Sequence, residues 1–336
     1  MHMGDAIISP LVGGVLWVVS GALIGYSAKK ITEEHDVVKT PLMGVLGAFV
    51  FAAQMINFSI PGTGSSGHLG GGLLLTVLLG PYRAFITLAS VLIIQCLFFA
   101  DGGLLALGCN IFNLAFFPAF IAFPFIYWVI AGNSASPGKL AAGSMTAATA
   151  GLLMGSLAVV LETLLSGITE LPFSTFVLFM LPVHLAIGIV EGLVTWGVLV
   201  FVARTEPALL VPATATAHPR FTTALFAIAA LMTGGVVSLF ASPYPDGLEW
   251  SLAKVSGSET FRPASEPVHD LLAALQHKIA FLPDYGFRPG PEAAAVSRSP
   301  VNVGSSVSGI VGTLSVLVCA GAAGMILGRK GEQSKR

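Results

Sequence analysis

Charge is what this chain has least of. Only 10% of its 336 residues are Asp, Glu, Lys or Arg, against about 25% in a soluble globular protein. That shortage excludes a water-soluble fold. With no basic cluster anywhere, nucleic acid is excluded as a partner too. Cysteine is scarce as well: Cys96, Cys109 and Cys319 are the only three. None belongs to a CxxC pair, so neither a disulfide framework nor a thiolate metal site is implied, and each reads as a small apolar-core residue. No G-x-x-x-x-G-K-[ST] stretch occurs, so the chain does not hydrolyse ATP by a phosphate-loop route. It does not open like a secretory leader either, because a basic n-region is missing and acidic Asp5 precedes the first apolar run.

Hydrophobicity is what it has in abundance: 54% of residues are apolar and the mean hydropathy is +0.85. At about 20 residues per crossing, spans are expected at 10–28, 41–58, 69–80, 83–99, 110–131, 138–165, 174–203, 221–241 and 303–328. This predicts an all-α, polytopic helical bundle in the inner (plasma) membrane, in contact with the lipid bilayer. Residues 1–204 form a seven-span body and 205–220, with Pro207, Pro212 and Pro219, a cytoplasmic linker. Residues 221–336 form a two-span tail whose polar outer loop is 242–302, with a short amphipathic helix expected at 268–280. Lys and Arg set the orientation. Lys29, Lys30, Lys39, Arg83, Lys139, Arg204 and Arg220 share one side with the basic C-terminus. The dissenting Lys254, Arg262, Lys278, Arg288 and Arg298 all sit in the long loop, which the rule weights least. The N-terminus is therefore expected outside and the C-terminus inside.

The first chemistry lies at the chain start, Met1-His2-Met3-Gly4-Asp5. A second-position histidine can chelate: the Met1 amine, the His2 backbone nitrogen and the His2 imidazole close two fused rings around one ion. Planar nitrogen ligation suits Ni(II) or Cu(II). The plain alternative is a frayed end. A second signal is independent of the first. Residues 61–72, Pro61-Gly62-Thr63-Gly64-Ser65-Ser66-Gly67-His68-Leu69-Gly70-Gly71-Gly72, are too glycine-rich to begin a regular helix. Irregular backbone at membrane depth survives only where it is buried in protein or lines a cavity. His68 stands there on the same side as His2, either as a fourth nitrogen or as a packed polar residue.

Other residues read as support. Asp101 is an interfacial charge, and Asn110 and Asn113 are placed to orient ligand histidines from behind. His184 and Glu191, seven residues apart on one helical face, are expected to pair, bind an ion or hold the N-terminal segment. Glu162 is less telling. Gly143, Ala147, Gly151 and Gly155 make a small-residue face, with a shorter one at Gly21 and Gly25. Such faces serve close packing within the chain or docking onto a partner. Ser65-Ser66 with His184 allows a competing reading as an intramembrane serine hydrolase, which leaves His2 idle.

Together these residues resemble a known family. Met1-His2 with Asp5, Gly64-Ser65-Ser66-Gly67-His68-Leu69-Gly70-Gly71, Asp101-Gly102-Gly103 with Asn110-Ile111-Phe112-Asn113, and His184 through Glu191-Gly192-Leu193 are similar to the CbiM/NikM family. These are the substrate-capture components of energy-coupling-factor importers for cobalt and nickel. Pro245-Asp246-Gly247-Leu248-Glu249-Trp250 resembles the signature of the small N component, which makes the chain look like an M–N fusion. The resemblance implies a transporter subunit rather than an enzyme, with Ni(II) or Co(II) as substrate and no permanently bound cofactor. It implies Met1, His2 and His68 as ligands, with Asp5, Asn110, Asn113, His184 and Glu191 around them. It also implies a transmembrane coupling subunit and cytoplasmic ATPase subunits as partners. A stand-alone secondary permease is the alternative.

Overall fold

The computed structural model describes residues 1–34, 36, 39–134, 136–210, 220–257, 267–288 and 303–333. In lipid every backbone N–H and C=O must be satisfied within the chain, so apolar runs become helices. The body holds α1 (Pro10–Glu34), α2 (Lys39–Gln54), α3 (Gly72–Leu79), α4 (Pro81–Phe99), α5 (Leu107–Ile130), α6 (Pro137–Ser166) and α7 (Phe173–Thr205). The tail adds α8 (Arg220–Gly235), α9 (Gly247–Ser256), α10 (Pro267–Ile279) and α11 (Val303–Gln333). The amphipathic helix expected in the outer loop is α10.

Among the described residues, seven helices rather than nine are long and apolar enough to cross a membrane. The two expected spans that fall short are α2, with 16 residues, and α3, with 8. Eight residues rise only about 12 Å, far less than a hydrocarbon core of about 30 Å. For α3 the cause is glycine. Gly71 and Gly80 flank α3 at φ +74° and +84°, left-handed conformations that end a helix. Ahead of α3, the glycine-rich segment folds into a hairpin, β1 (Phe58–Ile60) against β2 (Ser65–Gly67), followed by the non-helical residues 68–71. Pro118 and Pro124 lie inside α5, whose Phe112–Tyr127 stretch is wound as a π-helix. Each proline removes a backbone donor that a regular helix would use.

The small-residue face of α6 packs on α5. A Cβ added at Gly143 would lie 2.9 Å from Ala131 Cβ, and one at Gly155 would lie 2.5 Å from the Asn113 carbonyl oxygen. That face is used within the chain. Gly21 and Gly25 on α1 meet nothing within 4 Å. The tail spans pack on α2: an added Gly44 Cβ would sit 2.7 Å from the Leu317 carbonyl of α11, and Phe226 of α8 meets Phe49 with ring centroids 5.1 Å apart. This explains why so short a helix is almost wholly buried. At one end of the bundle Arg83 pairs with Glu34 at 2.6 Å; the chain start, the hairpin and the tail loop gather at the other.

Candidate metal centre

The chain start is not frayed. Met1 is 5% exposed and Met3 and Ile8 are fully buried. Asn110 fixes it by clamping one peptide unit: its Oδ1 accepts from Met3 N at 2.7 Å and its Nδ2 donates to Met3 O at 3.1 Å. Gly103 N adds a bond to the same carbonyl at 2.9 Å. Asp5 turns its carboxylate back to accept from Ala106 N at 3.0 Å, at the entry to α5. Burial pushes the Asp5 carboxyl up, and backbone N–H groups only partly offset that. Gly103 is required by close approach, since a Cβ there would fall on the Asp5 carboxylate and backbone nitrogen. Gly103→Ala is therefore expected to displace the strand and cost about 1–3 kcal/mol; a melting curve with no loss would contradict this packing.

So anchored, the Met1 amine reaches His68, 3.2 Å from N to Nε2. The His68 Nδ1 lies 3.1 Å from the Leu69 carbonyl, a group that only accepts. The ring proton therefore belongs on Nδ1, and the Nε2 lone pair faces the amine. His2 stacks on His68, ring centroids 5.1 Å apart and planes within 15°. Its Nδ1 is 3.2 Å from Asp101 Oδ1, and its Nε2 is buried without a partner. Burial first, then the nearby amine, pull both imidazoles down to about 3; for His68 the His2 ring adds to the shift. Both rings are thus neutral at ordinary pH, the form that donates a lone pair.

A fourth group completes the cluster from the tail. Asp246 Oδ2 accepts from the Met1 amine at 2.7 Å. Burial alone would raise its carboxyl; the amine and then His68 outweigh that, and the net direction is down. Asp246 also begins α9 as a capping box: its Oδ1 accepts from Glu249 N at 2.8 Å while Glu249 Oε2 accepts from Asp246 N at 3.1 Å. Among the described residues no three His, Cys, Asp or Glu side chains converge as a metal cage. The nitrogens assembled here are instead an amine and two imidazoles.

The His68 loop is held from beneath. Glu191 of α7 accepts from Gly70 N at 2.9 Å and Gly71 N at 3.0 Å. Gln95 Nε2 donates to Gln54 Oε1 at 2.8 Å, and Gln54 Nε2 donates to Gly70 O at 2.8 Å. His184 does not pair with Glu191. Its Nδ1 donates to Met180 O at 2.7 Å, its Nε2 has no partner, and the ring lines a cavity shared with Met1, His68 and Asp246. Neither asparagine hydrogen-bonds a histidine, against expectation: Asn110 holds the strand, and Asn113 donates to Glu162 at 2.7 Å. All five expected supports, Asp5, Asn110, Asn113, His184 and Glu191, therefore bond backbone groups or Glu162.

Comparison with known proteins meets this geometry. Residues 2–209 match the CbiM family, described as the cobalt uptake substrate-specific transmembrane region, and residues 220–329 match the PDGLE domain. The chain belongs to the CbiM family. It is 32% identical to a fused nickel transport protein NikMN of Archaeoglobus fulgidus, over 94% of this chain and 96% of that one. A CbiM cobalt transport protein of Geobacter sulfurreducens is 29% identical over 62% of this chain and 61% of its own. A solved structure described as a truncated transition metal transporter is 29% identical, with a TM-score of 0.53, covering 61% of this chain and 99% of that one. This CbiM-family chain, fused to a PDGLE domain, is a multi-pass membrane component of metal uptake, not an enzyme.

In this CbiM-family chain the tail roofs the site. Ser66 N donates to Pro245 O at 2.8 Å, and Trp250 Nε1 donates to Thr63 O at 3.0 Å. From α10, His269 Nε2 donates to Ile8 O at 2.9 Å and Gln276 Nε2 donates to Gly102 O at 2.7 Å. Tyr285 donates its hydroxyl to Asp101, whose carboxyl burial pushes up. The serine reading fails here: Ser66 Oγ donates to the Tyr244 carbonyl at 2.8 Å and Ser65 Oγ meets Thr63 Oγ1 at 2.7 Å, so neither meets His184. Sequence reasoning did not assign site roles to Asp246, Gln54, Gln95, Glu162 or Tyr285. The signal for the glutamines was present: an amide inside an apolar run is costly unless bonded.

Proposed function

We propose that this chain is the substrate-binding membrane subunit of an ATP-driven energy-coupling-factor importer for nickel or cobalt. The ion is held by the Met1 amine, the His2 amide and imidazole nitrogens, and His68 Nε2. One observation carries this reading: the amine lies 3.2 Å from a lone-pair-bearing His68 Nε2. Two donors about 2.0–2.1 Å from one ion and at right angles to it stand roughly 2.9 Å apart, so the pair is already near ligand spacing. His2 Nδ1 is engaged by Asp101 and must leave it to close the second chelate ring.

Metal-transport names on the relatives and the PDGLE match support the same reading. Residues 1–204 are the capture unit, 205–220 the linker and 221–336 the N-component-like unit, whose outer loop assists loading; residues 211–219, 258–266 and 289–302 lie outside the described residues. The site faces outside, following the Lys and Arg distribution. A coupling subunit and cytoplasmic ATPases drive release, because a site tight enough for a trace metal does not empty unaided. Uptake into cells should vanish without the ATPase subunits; persistence would favour a secondary permease. Deleting residues from 221 onward should lower uptake, and wild-type uptake would reduce the tail to an accessory.

The pH dependence follows from which protons move. Both imidazoles are already neutral well above about 3, so binding displaces the amine and amide protons. Nickel affinity is expected to rise with pH, up to about tenfold per unit for each proton released. Titrations between pH 6 and about 8 check this, and a flat profile would contradict it. For the metal-free fold the sign is separate. Imidazoles lowered from 6.5 to about 3 give stability that is full above pH 6.5 and falls as pH drops toward 3.

A further inference from the structure

Resting on that reading, we propose that Asp246 is the positioning and charge-balancing residue of the capture site, supplied by the C-terminal unit to the body's ligands. The two oxygens of its carboxylate divide the work. Oδ1 accepts from Glu249 N at 2.8 Å and starts α9, while Oδ2 accepts from the Met1 amine at 2.7 Å. The hydrogen bond aims the amine: with His68 Nε2 at 3.2 Å on the same nitrogen, Asp246 fixes where its lone pair points once a proton leaves.

The charge count gives the second role. A divalent ion with one deprotonated amide and three neutral nitrogens carries one net positive charge. The site is buried, and an uncompensated charge there is costly. Asp246, the carboxylate bonded to the amine at 2.7 Å, is placed to cancel it, while Asp101, 3.2 Å from His2 Nδ1, stands beside the site with and without the ion. Without the ion, Asp246 cancels the ammonium. Capture is thus an electroneutral exchange: two protons leave to solvent, one from the amine and one from the His2 amide, and one divalent cation enters. The amine–metal and amide–metal bonds replace the two N–H bonds, and Asp246 keeps its charge throughout.

The placement also accounts for the roof. Asp246 sits where α9 begins, its backbone tied to the hairpin through the bond from Ser66 N to Pro245 O at 2.8 Å. Gly247 follows because an added Cβ would lie 3.1 Å from His184 Cε1 and 2.7 Å from Val183 Cγ1.

The test is nickel titration of the full chain by calorimetry. Asp246→Asn keeps a side-chain oxygen for the helix cap and removes the charge. It is expected to weaken nickel binding about 10–100-fold. Asp246→Ala is expected to be weaker still, and formate added to it to restore part of the affinity, with no such rescue of His68→Ala. Wild-type affinity in Asp246→Asn, with only a lowered melting temperature, would overturn the proposal, leaving a structural cap. Weakening of Asp246→Ala that formate does not relieve would overturn the charge-balancing role. If wild-type protein and His68→Ala bind nickel equally, the failure belongs to the ligand assignment itself and not to Asp246.

Discussion

His68→Ala is expected to weaken nickel binding by more than about 100-fold, beyond the 10–100-fold typical for losing a group that only supports a ligand. His68 Nε2 is the lone pair nearest the Met1 amine, at 3.2 Å, and its tautomer is set by the Leu69 carbonyl. His2 belongs to the chelate itself, and His184, whose Nε2 is free and lines the same cavity, makes no hydrogen bond to the amine as His68 does. The loop should keep its path after the substitution, because it hangs on Glu191 and Gln54 through Gly70 and Gly71, not on the imidazole. Calorimetric titration of folded variant protein checks this; affinity within a few-fold of wild type would remove His68 from the site.

Glu191→Leu carries the second large effect. Gly70 N and Gly71 N both donate to this carboxylate, at 2.9 and 3.0 Å. Leucine would leave two buried donors unpaired at about 1–3 kcal/mol each. Gly71 cannot turn away easily, since its backbone is at φ +74° with Val50 close behind it. The loop is expected to shift and carry His68 off the amine, lowering nickel affinity about 10–100-fold as well as lowering stability. Glu191→Gln keeps an acceptor oxygen for one of the two amides and should fall between. Unchanged affinity in Glu191→Leu would show that the loop is held by something other than this carboxylate.

The helical bundle was legible because lipid leaves the backbone few options. Long apolar runs announce spans whatever their neighbours are. For α3 the failure came from counting apolar residues where glycine decides: Gly71 and Gly80 set helix ends that hydropathy does not register; α2 stops at Gln54, just ahead of the strand that begins at Phe58. The convergence of His2 and His68 was readable from chemistry plus the odd glycine segment. The roles of the supports were not. Asn110 and Glu191 bind peptide groups, and a sequence does not say which backbone a side chain will reach. Asp246 was visible only as part of a motif 245 positions from its partner. Contacts of that range depend on how the tail folds over the body.

The most direct test places one extra residue before Met1 and titrates the otherwise unchanged protein with nickel. The account predicts loss of high-affinity binding, because the terminal amine moves one residue away from the second-position histidine and out of the gap between His68 and Asp246. Retention of wild-type affinity would contradict it and would show that side chains alone hold the ion.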